Sequence, residues 1–294
     1  MKPLVSVVIP TYNRARTIIR AINSVLCQTY DNVEVIVVDD CSQDDTENVI
    51  ASEYGNNRRV MFHKLDHNSG ACKARNIGVQ LSHGEFVAFL DSDDEFLPDK
   101  LSKQIECIVK YNASLCASDY TIVYKDGSQS IIETKPGRKD QVLKDLLYCN
   151  YITTGTLIGY RSCFLEEPFD EILPRYQDWD LVLRLCQRFS IHLLRERTLV
   201  QYSQDVSITK STNHEKTLRA LKVVYNKNKK LYDKNKRAYC QIHWLMGIHE
   251  IFVAKHISYN DLWIGVTANG FNFHRFLIYL YVKLGLTKMI TKYF

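Results

Sequence analysis

Glu85-Phe86-Val87-Ala88-Phe89-Leu90-Asp91-Ser92-Asp93-Asp94 is an apolar run that stops at three closely set carboxylates, with no basic residue beside them in the chain. Near-continuous apolar runs, unlike strict alternation, mark strands covered on both faces, as in parallel sheets with helices on each side. Carboxylates this close repel one another unless something positive sits between them. Their oxygens suit Mg²⁺ or Mn²⁺, and Mg²⁺ is commonly held by one or two carboxylates while water and substrate phosphates complete its shell. The stretch thus predicts a buried parallel strand and, at its carboxyl end, a divalent-cation site facing a phosphate-bearing substrate. The competing reading is a solvated turn whose acids cap the next helix, with Pro98 at that helix's first position.

The residues before this stretch repeat its pattern. Leu4–Ile9, Val33–Val38 and Val60–Leu65 are apolar runs separated by helical periodicity, so the first third of the chain reads as βαβ units. In open sheets of this kind ligands bind beyond the carboxyl ends of the strands. The polar residues follow that rule: Pro10-Thr11-Tyr12-Asn13, Asp39-Asp40-Cys41-Ser42 and Asp66-His67-Asn68-Ser69-Gly70 each follow a strand, and with the acidic stretch they predict four loops converging on one edge.

Downstream, a helix is expected to about Tyr111, then a strand over Ala113–Tyr124, a turn at Lys125-Asp126-Gly127 and a second strand near Ser130–Thr134, which brings antiparallel pieces into the sheet. Gln141–Tyr148 reads as a short helix, Thr153–Thr156 as a small-residue turn, and Arg175–Leu185 as a polar lead into an amphipathic helix. From about Asn213 the pattern is helical to the end. The expected division is 1–212, an α/β domain, and 213–294, a helical extension.

Bulk properties narrow the class. The 294 residues are 46% hydrophobic, ample for a packed core. Nine cysteines, scattered and without zinc spacing, suggest neither a disulfide framework nor a zinc site, which fits a reducing cytoplasm. No signal-like stretch and no membrane-length apolar window is seen. The formal charge of +5 is modest, and the basic residues gather late, around Lys222–Arg237, which is no nucleic-acid signature.

Five segments in order carry a resemblance: Val5-Ser-Val-Val-Ile-Pro-Thr-Tyr-Asn-Arg14, Val35-Ile-Val-Val-Asp-Asp-Cys-Ser-Gln-Asp44, Asn68-Ser-Gly-Ala-Cys-Lys-Ala-Arg-Asn-Ile-Gly78, Phe89-Leu-Asp-Ser-Asp-Asp94 and Gln177-Asp-Trp-Asp-Leu-Val-Leu-Arg-Leu185. Together they resemble the family 2 glycosyltransferases over roughly Pro3 to Thr209. The resemblance implies a GT-A fold (a Rossmann-like, mostly parallel sheet flanked by helices), a nucleotide-diphosphate sugar donor, and transfer with inversion. The implied nucleotide pocket falls on Pro10, Thr11, Tyr12, Asp39 and Asp40, with Arg75 nearby. A tyrosine ring offers a stacking face for a base, and an aspartate can accept the uracil N–H, which leans toward a uridine donor while thymidine and guanosine stay open. Tyr12 could equally close a strand–helix turn, and Arg75 could be an ion-pair partner on its helix.

In the acidic stretch the family's Asp-x-Asp pattern falls on Asp91, implied to face the ribose, and Asp93, implied to hold the metal; Asp94 assists or caps. The implied cofactor is Mn²⁺ or Mg²⁺, neutralising charge on the departing diphosphate. Inversion in one displacement needs a proton acceptor opposite the leaving group, and Asp178 matches the family's base. Gln177 stands where Glu is usual. Asp178 and Asp180 could also simply favour a helix N-terminus, and Trp179 either lines an acceptor subsite or belongs to the core. Many relatives carry a histidine in the loop matching Tyr202–Ser207, where this chain has none, so Gln204 or Asp205 must substitute or the loop is less ordered. The Gln-x-x-Arg-Trp signature of processive synthases is absent, so single-sugar transfer is expected.

The tail from Asp261 to Phe294 mixes aromatic and basic residues, which suits a membrane surface or packing on the catalytic domain or a twin subunit. The function expected is an inverting hexosyl- or N-acetylhexosaminyl-transferase acting on a glycan or lipid-linked acceptor in surface polysaccharide biosynthesis, of capsule or O-antigen type. It would work in the cytoplasm, with a peripheral place on the inner membrane if the tail engages lipid. A nucleotidyltransferase is disfavoured by the lack of a Gly-rich basic loop after the first strand, and a dinucleotide oxidoreductase by the lack of Gly-x-Gly-x-x-Gly. The remaining alternative is a catalytically degenerate nucleotide-sugar-binding partner of another transferase.

Overall fold

The computed structural model describes residues 2–134, 139–203, 213–253 and 259–285. It falls into two compact units: Met1–Leu143, Tyr151–Glu171 and Gln177–Asp205 in the first, and Lys144–Asn150, Ile172–Tyr176 and Val206–Phe294 in the second.

The first unit begins β1 (Val5–Thr11), α1 (Ile18–Leu26), β2 (Val33–Asp39), α2 (Thr46–Tyr54), β3 (Val60–Lys64), α3 (Ala71–Leu81) and β4 (Phe86–Phe89). There follow β5 (Glu95–Phe96), α4 (Lys100–Tyr111), β6 (Leu115–Val123), β7 (Gln129–Ile132), α5 (Lys139–Tyr148, counted with the second unit from Lys144), β8 (Ile158–Tyr160), α6 (Arg161–Glu166), α7 (Gln177–Arg188) and β9 (Ile191–Tyr202). The sheet runs β3-β2-β1-β4-β8-β6-β9-β5, with β7 against β6. Its first four strands are parallel, as their apolar runs predict; β8 is antiparallel to β4 and β6, and the short β5 is antiparallel to β9. This is the α/β GT-A architecture expected.

Every residue of β1 is buried. Each Val or Ile removed from water there contributes about 1.5–3 kcal/mol, which is why this strand sits centrally with β2 on one side and β4 on the other. The order reverses at β1, and such a switch point opens a crevice at the carboxyl ends. Helix α3 lies close over β1 because Gly78 has no side chain: a Cβ there would collide with Val8 Cγ1. Arg75, one turn earlier on the same helix face, is thereby carried to the strand ends.

Several boundaries differ from the sequence reading. Helix α4 starts at Lys100, two residues after Pro98: the Leu97 N–H donates to the Thr198 carbonyl and the Thr29 N–H to the Pro98 carbonyl, while Lys100 N–H closes a turn on the Leu97 carbonyl before the helix begins. Strand β5 intervenes between the acidic turn and α4, so those acids cap no helix. The hairpin turn at Lys125-Asp126-Gly127 forms as expected, with Gly127 at φ +82°, but β7 is Gln129–Ile132 where a strand to Thr134 was expected.

The second unit holds α8 (His214–Lys227), α9 (Lys229–Lys234), α10 (Lys236–Val253), α11 (Tyr259–Thr267) and α12 (Phe273–Lys283). Trp244, Ile248, Leu262, Val266 and Val282 form its core. Helices α10 and α11 meet through two glycines: a Cβ on Gly247 would come 2.8 Å from Leu262, and one on Gly265 2.8 Å from Trp244. No described helix is long and apolar enough to cross a membrane.

Candidate active site

Register brings the first loops together: Thr11 of β1 stands beside Asp39 of β2. The two carboxylates that follow β2 are occupied by the chain itself. Asp39 is fully buried, and its oxygens accept from the Ser42 hydroxyl and from Ser42 N–H at 3.0 Å. Asp40 accepts from Ser69 N–H at 2.6 Å and from Gly70 N–H at 2.8 Å, which fixes the loop leading into α3. Asn13 locks the β1 loop to the β2 loop, donating its N–H to Ser42 Oγ and accepting from Gln43 N–H, both at 2.8 Å. Asn13 and Cys41 hold left-handed backbone, φ 53° and 64°; for non-glycine residues this is strained and persists only where neighbours over-determine it. Tyr12 is 42% exposed beside this frame, its ring available for stacking, while Pro10 and Thr11 are buried.

The acidic turn after β4 is partnered differently. Asp94 N–H donates to the Asp91 carbonyl at 3.0 Å and closes the turn. The sequence showed no basic neighbour; folding supplies three. Arg75 Nη2 donates to Asp91 Oδ1 at 2.7 Å, Arg14 Nη2 lies 3.6 Å from Asp93 Oδ2, and Arg20 donates to the Asp93 backbone carbonyl. The repulsion that suggested a cation is therefore partly relieved by guanidinium groups. It is not removed: burial and then the Asp91 charge push the Asp93 carboxyl above its usual range despite Arg14 and Arg20. Asp94 is pushed well up, by burial first and by Asp91 and Asp93 next, and its Oδ1 accepts from Tyr202 N–H at 3.0 Å. Asp94 therefore ties the turn to β9.

Among the described residues no group of three or more His, Cys, Asp or Glu is placed to hold a metal ion by itself. Mg²⁺ and Mn²⁺ are commonly held through one or two carboxylates, with water and substrate oxygens completing the shell. The donors present, Asp93 and Asp91, are the hard oxygen ligands such an ion takes.

Helix α7 presents the second acidic pair. Asp180 is fully buried and paired with Arg184 Nε at 2.9 Å, a helix-stabilising contact one turn on. Trp179 is 3% exposed, which fits its core reading and leaves little indole face for a sugar. Asp178 lies in the first turn, where the helix dipole favours its charge, and its Oδ1 accepts from Trp179 N–H at 2.8 Å.

Arg75 connects the two acidic regions. Its Nη1 donates to Gln177 Oε1 at 3.4 Å while Nη2 holds Asp91. Burial opposes its charge, but Asp91, with smaller contributions from Cys72 and Asp178, raises its pKa, so the buried guanidinium stays ionised. Three buried donors in this region, Thr11 Oγ1, Arg20 Nε and Arg75 Nε, have no partner among the described residues. Unmet donors of this kind cost about 1–3 kcal/mol each and suit a ligand rich in acceptor oxygens.

Sequence reasoning missed Arg14, Arg20 and Tyr202. Arg20 lies 3.9 Å over the Tyr202 ring, and Tyr202 Oη donates to Glu95 Oε2 at 3.0 Å. The signal available was helical spacing: Arg20 sits one turn or so beyond the β1 loop, on a helix start that must face the same edge. Gln204 and Asp205, expected to replace the loop histidine, lie outside the described residues.

Residues 6–172 match the model of glycosyl transferase family 2. Similar chains include TuaG of Bacillus subtilis, named for teichuronic acid biosynthesis (39% identical over 127 residues, 43% of this chain and 50% of that one). WcaA of Escherichia coli, named for colanic acid biosynthesis, is 35% identical over 64% of this chain and 67% of its own. AmsB of Erwinia amylovora, an amylovoran biosynthesis glycosyltransferase, is 32% identical over 61% of this chain and 62% of its own. The chain thus spans about half the length of TuaG and about two thirds of WcaA. Among solved structures, Staphylococcus aureus TarS residues 1–349 with UDP-GlcNAc gives a TM-score of 0.65 at 19% identity over 90% of this chain and 81% of that one; its UDP complex gives 0.58 at 21% over 90% and 70%. At that identity the likeness establishes the fold. With the family model covering more than half of its length, the chain belongs to glycosyltransferase family 2.

Proposed function

We propose that the chain transfers one sugar, a hexose or N-acetylhexosamine, from a nucleotide-diphosphate sugar to a hydroxyl of a glycan or lipid-linked acceptor, with inversion, in surface polysaccharide biosynthesis. The observation that carries the reading is the buried Arg75 bridge, which joins Asp91 of the acidic turn to Gln177 at the start of the Asp178 helix. It links the end proposed to hold the donor with the end proposed to take the acceptor's proton. A uridine donor is favoured by the exposed Tyr12 ring beside the Asp39–Asp40 loops, and the relatives' names and the UDP and UDP-GlcNAc complexes of TarS agree with such chemistry.

In this mechanism the base stacks on Tyr12, the ribose meets Asp91, and Arg14, Arg20 and Arg75 offset diphosphate charge in a partly desolvated edge. Asp93 and Asp91 would hold Mn²⁺ or Mg²⁺, which supplies Lewis-acid stabilisation of the leaving diphosphate. Asp178 Oδ accepts the proton of the attacking hydroxyl as its oxygen bonds to the anomeric carbon. The electron pair of the breaking C–O bond leaves with the diphosphate. The Arg75 guanidinium, whose own charge is favoured by Asp91 first and by Asp178 to a smaller extent, stands between the two acidic regions.

A panel of nucleotide sugars, assayed with Mn²⁺ for hydrolysis and transfer, tests the reading. Asp178→Asn should retain donor binding by calorimetry while losing turnover. A variant that turns over as fast as the parent would sink the base assignment, and an inert parent that still binds donors would leave the degenerate-partner reading standing.

A further inference from the structure

Helix α12 is buried on one side and apolar on the other. Val282, 1% exposed, belongs to the core of the second unit. Phe273, Leu277, Tyr281 and Leu284 stand at i, i+4, i+8 and i+11, a single stripe of one helix face. They are 66%, 39%, 41% and 71% exposed. Beside the stripe on α11, Trp263 is 43% exposed with its ring 5.3 Å from Tyr279. A helix packed on its own unit and facing water ordinarily carries polar residues here, and a contiguous apolar patch of this kind marks an interaction surface.

Charge points to the occupant. Residues 213–294 contain fourteen Lys and Arg against four Asp and Glu, a net of +10, so with +5 overall residues 1–212 carry −5. Part of that charge adjoins the apolar face. Lys229, Asp233, Lys236 and Tyr239 line a depression of about 320 Å³, with Lys229 paired to Asp233 at 2.7 Å and Lys236 leaving the net charge positive; its remaining wall is Ala268, directly after α11 and three residues before Phe271, itself 60% exposed. Lys283, at the end of α12, reaches over the Tyr279 ring at 5.8 Å.

We propose that the helical unit docks on an anionic lipid bilayer, with α12 lying in the interfacial plane, its Phe273–Leu284 stripe at the headgroup–acyl boundary and the lysines against headgroup phosphates. Aromatic and aliphatic residues flanked by lysine are what that boundary solvates. A second copy would bring two +10 surfaces together. A nucleic acid would engage the lysines but leave Leu277 and Leu284 in water. The inference does not depend on the transfer reaction, since vesicle binding needs no donor.

The test is co-sedimentation of the full chain with vesicles of phosphatidylcholine alone and with about one third phosphatidylglycerol. Binding is expected on the anionic vesicles and should weaken as salt is added. Leu277→Ser combined with Leu284→Ser should lower the partition coefficient by at least about tenfold, with unchanged circular dichroism because both side chains are exposed. Lys229→Gln combined with Lys236→Gln should lower it on anionic vesicles alone, by about fivefold per charge. Equal recovery on both vesicles, or unchanged binding of both variants, overturns the proposal. So does a dimer in sedimentation velocity that the leucine variant converts to monomer, because a second copy would then cover the face.

Discussion

The loops after β2 and β4 each end in adjacent or near-adjacent aspartates, yet the fold uses them in opposite ways. Asp39 and Asp40 accept from the Ser42 hydroxyl and from backbone N–H groups of Ser42, Ser69 and Gly70, contacts made within the frame of the edge. Asp91 and Asp93 face guanidinium groups carried in from α3 and from the loop after β1, and Asp93 stays above its ordinary pKa all the same. The first pair is tied to the chain by hydrogen bonds; the second faces arginine side chains and keeps a perturbed carboxyl at Asp93. Identical residue types at the same sheet edge are thus partnered differently, according to which donors reach them.

Breaking that contrast should produce the largest effect at the second pair. Asp93→Asn is expected to reduce kcat with saturating donor by at least about 100-fold while leaving the melting temperature the same or higher, because a carboxylate above its usual pKa is a strained charge; thermal melts and steady-state assays check both halves. At the first pair the outcome reverses. Asp40→Ala removes the acceptor of two backbone N–H groups and should cost about 3 kcal/mol of stability, read by urea denaturation, with activity falling only as the fold does.

A buried cation sharpens the same point. Lys100 is fully buried, with Gln104 Oε1 at 2.7 Å and Thr198 Oγ1 at 3.4 Å as its hydrogen-bond partners, both neutral, and burial lowers its pKa to about 7. The unfolded chain holds this proton to about pH 10.4. Between those values the unfolded state binds more protons, so this group's contribution to stability rises as pH increases from about 7 toward 10. A gain of about 3 kcal/mol is expected over that window, and Lys100→Met should flatten it; denaturation at a series of pH values decides. The smallest effect concerns position. Gly78→Ala must push α3 off Val8 and should cost about 1–2 kcal/mol, and by shifting Arg75 it should lower kcat more than Gly78→Ala lowers stability alone would explain, which a comparison of kcat at low and high temperature tests.

Much of this was legible in the chain. Apolar runs ending in polar loops gave the four parallel strands and their shared edge, because strand periodicity and burial are local properties of five or six residues. The Asp-x-Asp turn and the Asp178 segment could be singled out for the same reason. Partnership could not. Arg14 and Arg20 lie more than seventy residues from Asp93, and their meeting depends on strand order; Arg75 reaches Asp91 from α3, which lies close on β1 at Gly78. The roles of Asp180 and Trp179 also waited on packing: one is paired with Arg184 and the other is buried.

By itself the sequence determined the βαβ beginning, the acidic turn, the helical ending and the surplus of positive charge in that ending, since hydrophobic period and composition act over short range. Only the tertiary structure decided which aspartates are satisfied by backbone, which are faced by arginine, and which side of α12 stays uncovered. Those outcomes depend on distances between residues far apart in the chain, and such distances exist only once the sheet order and the helix packing have formed.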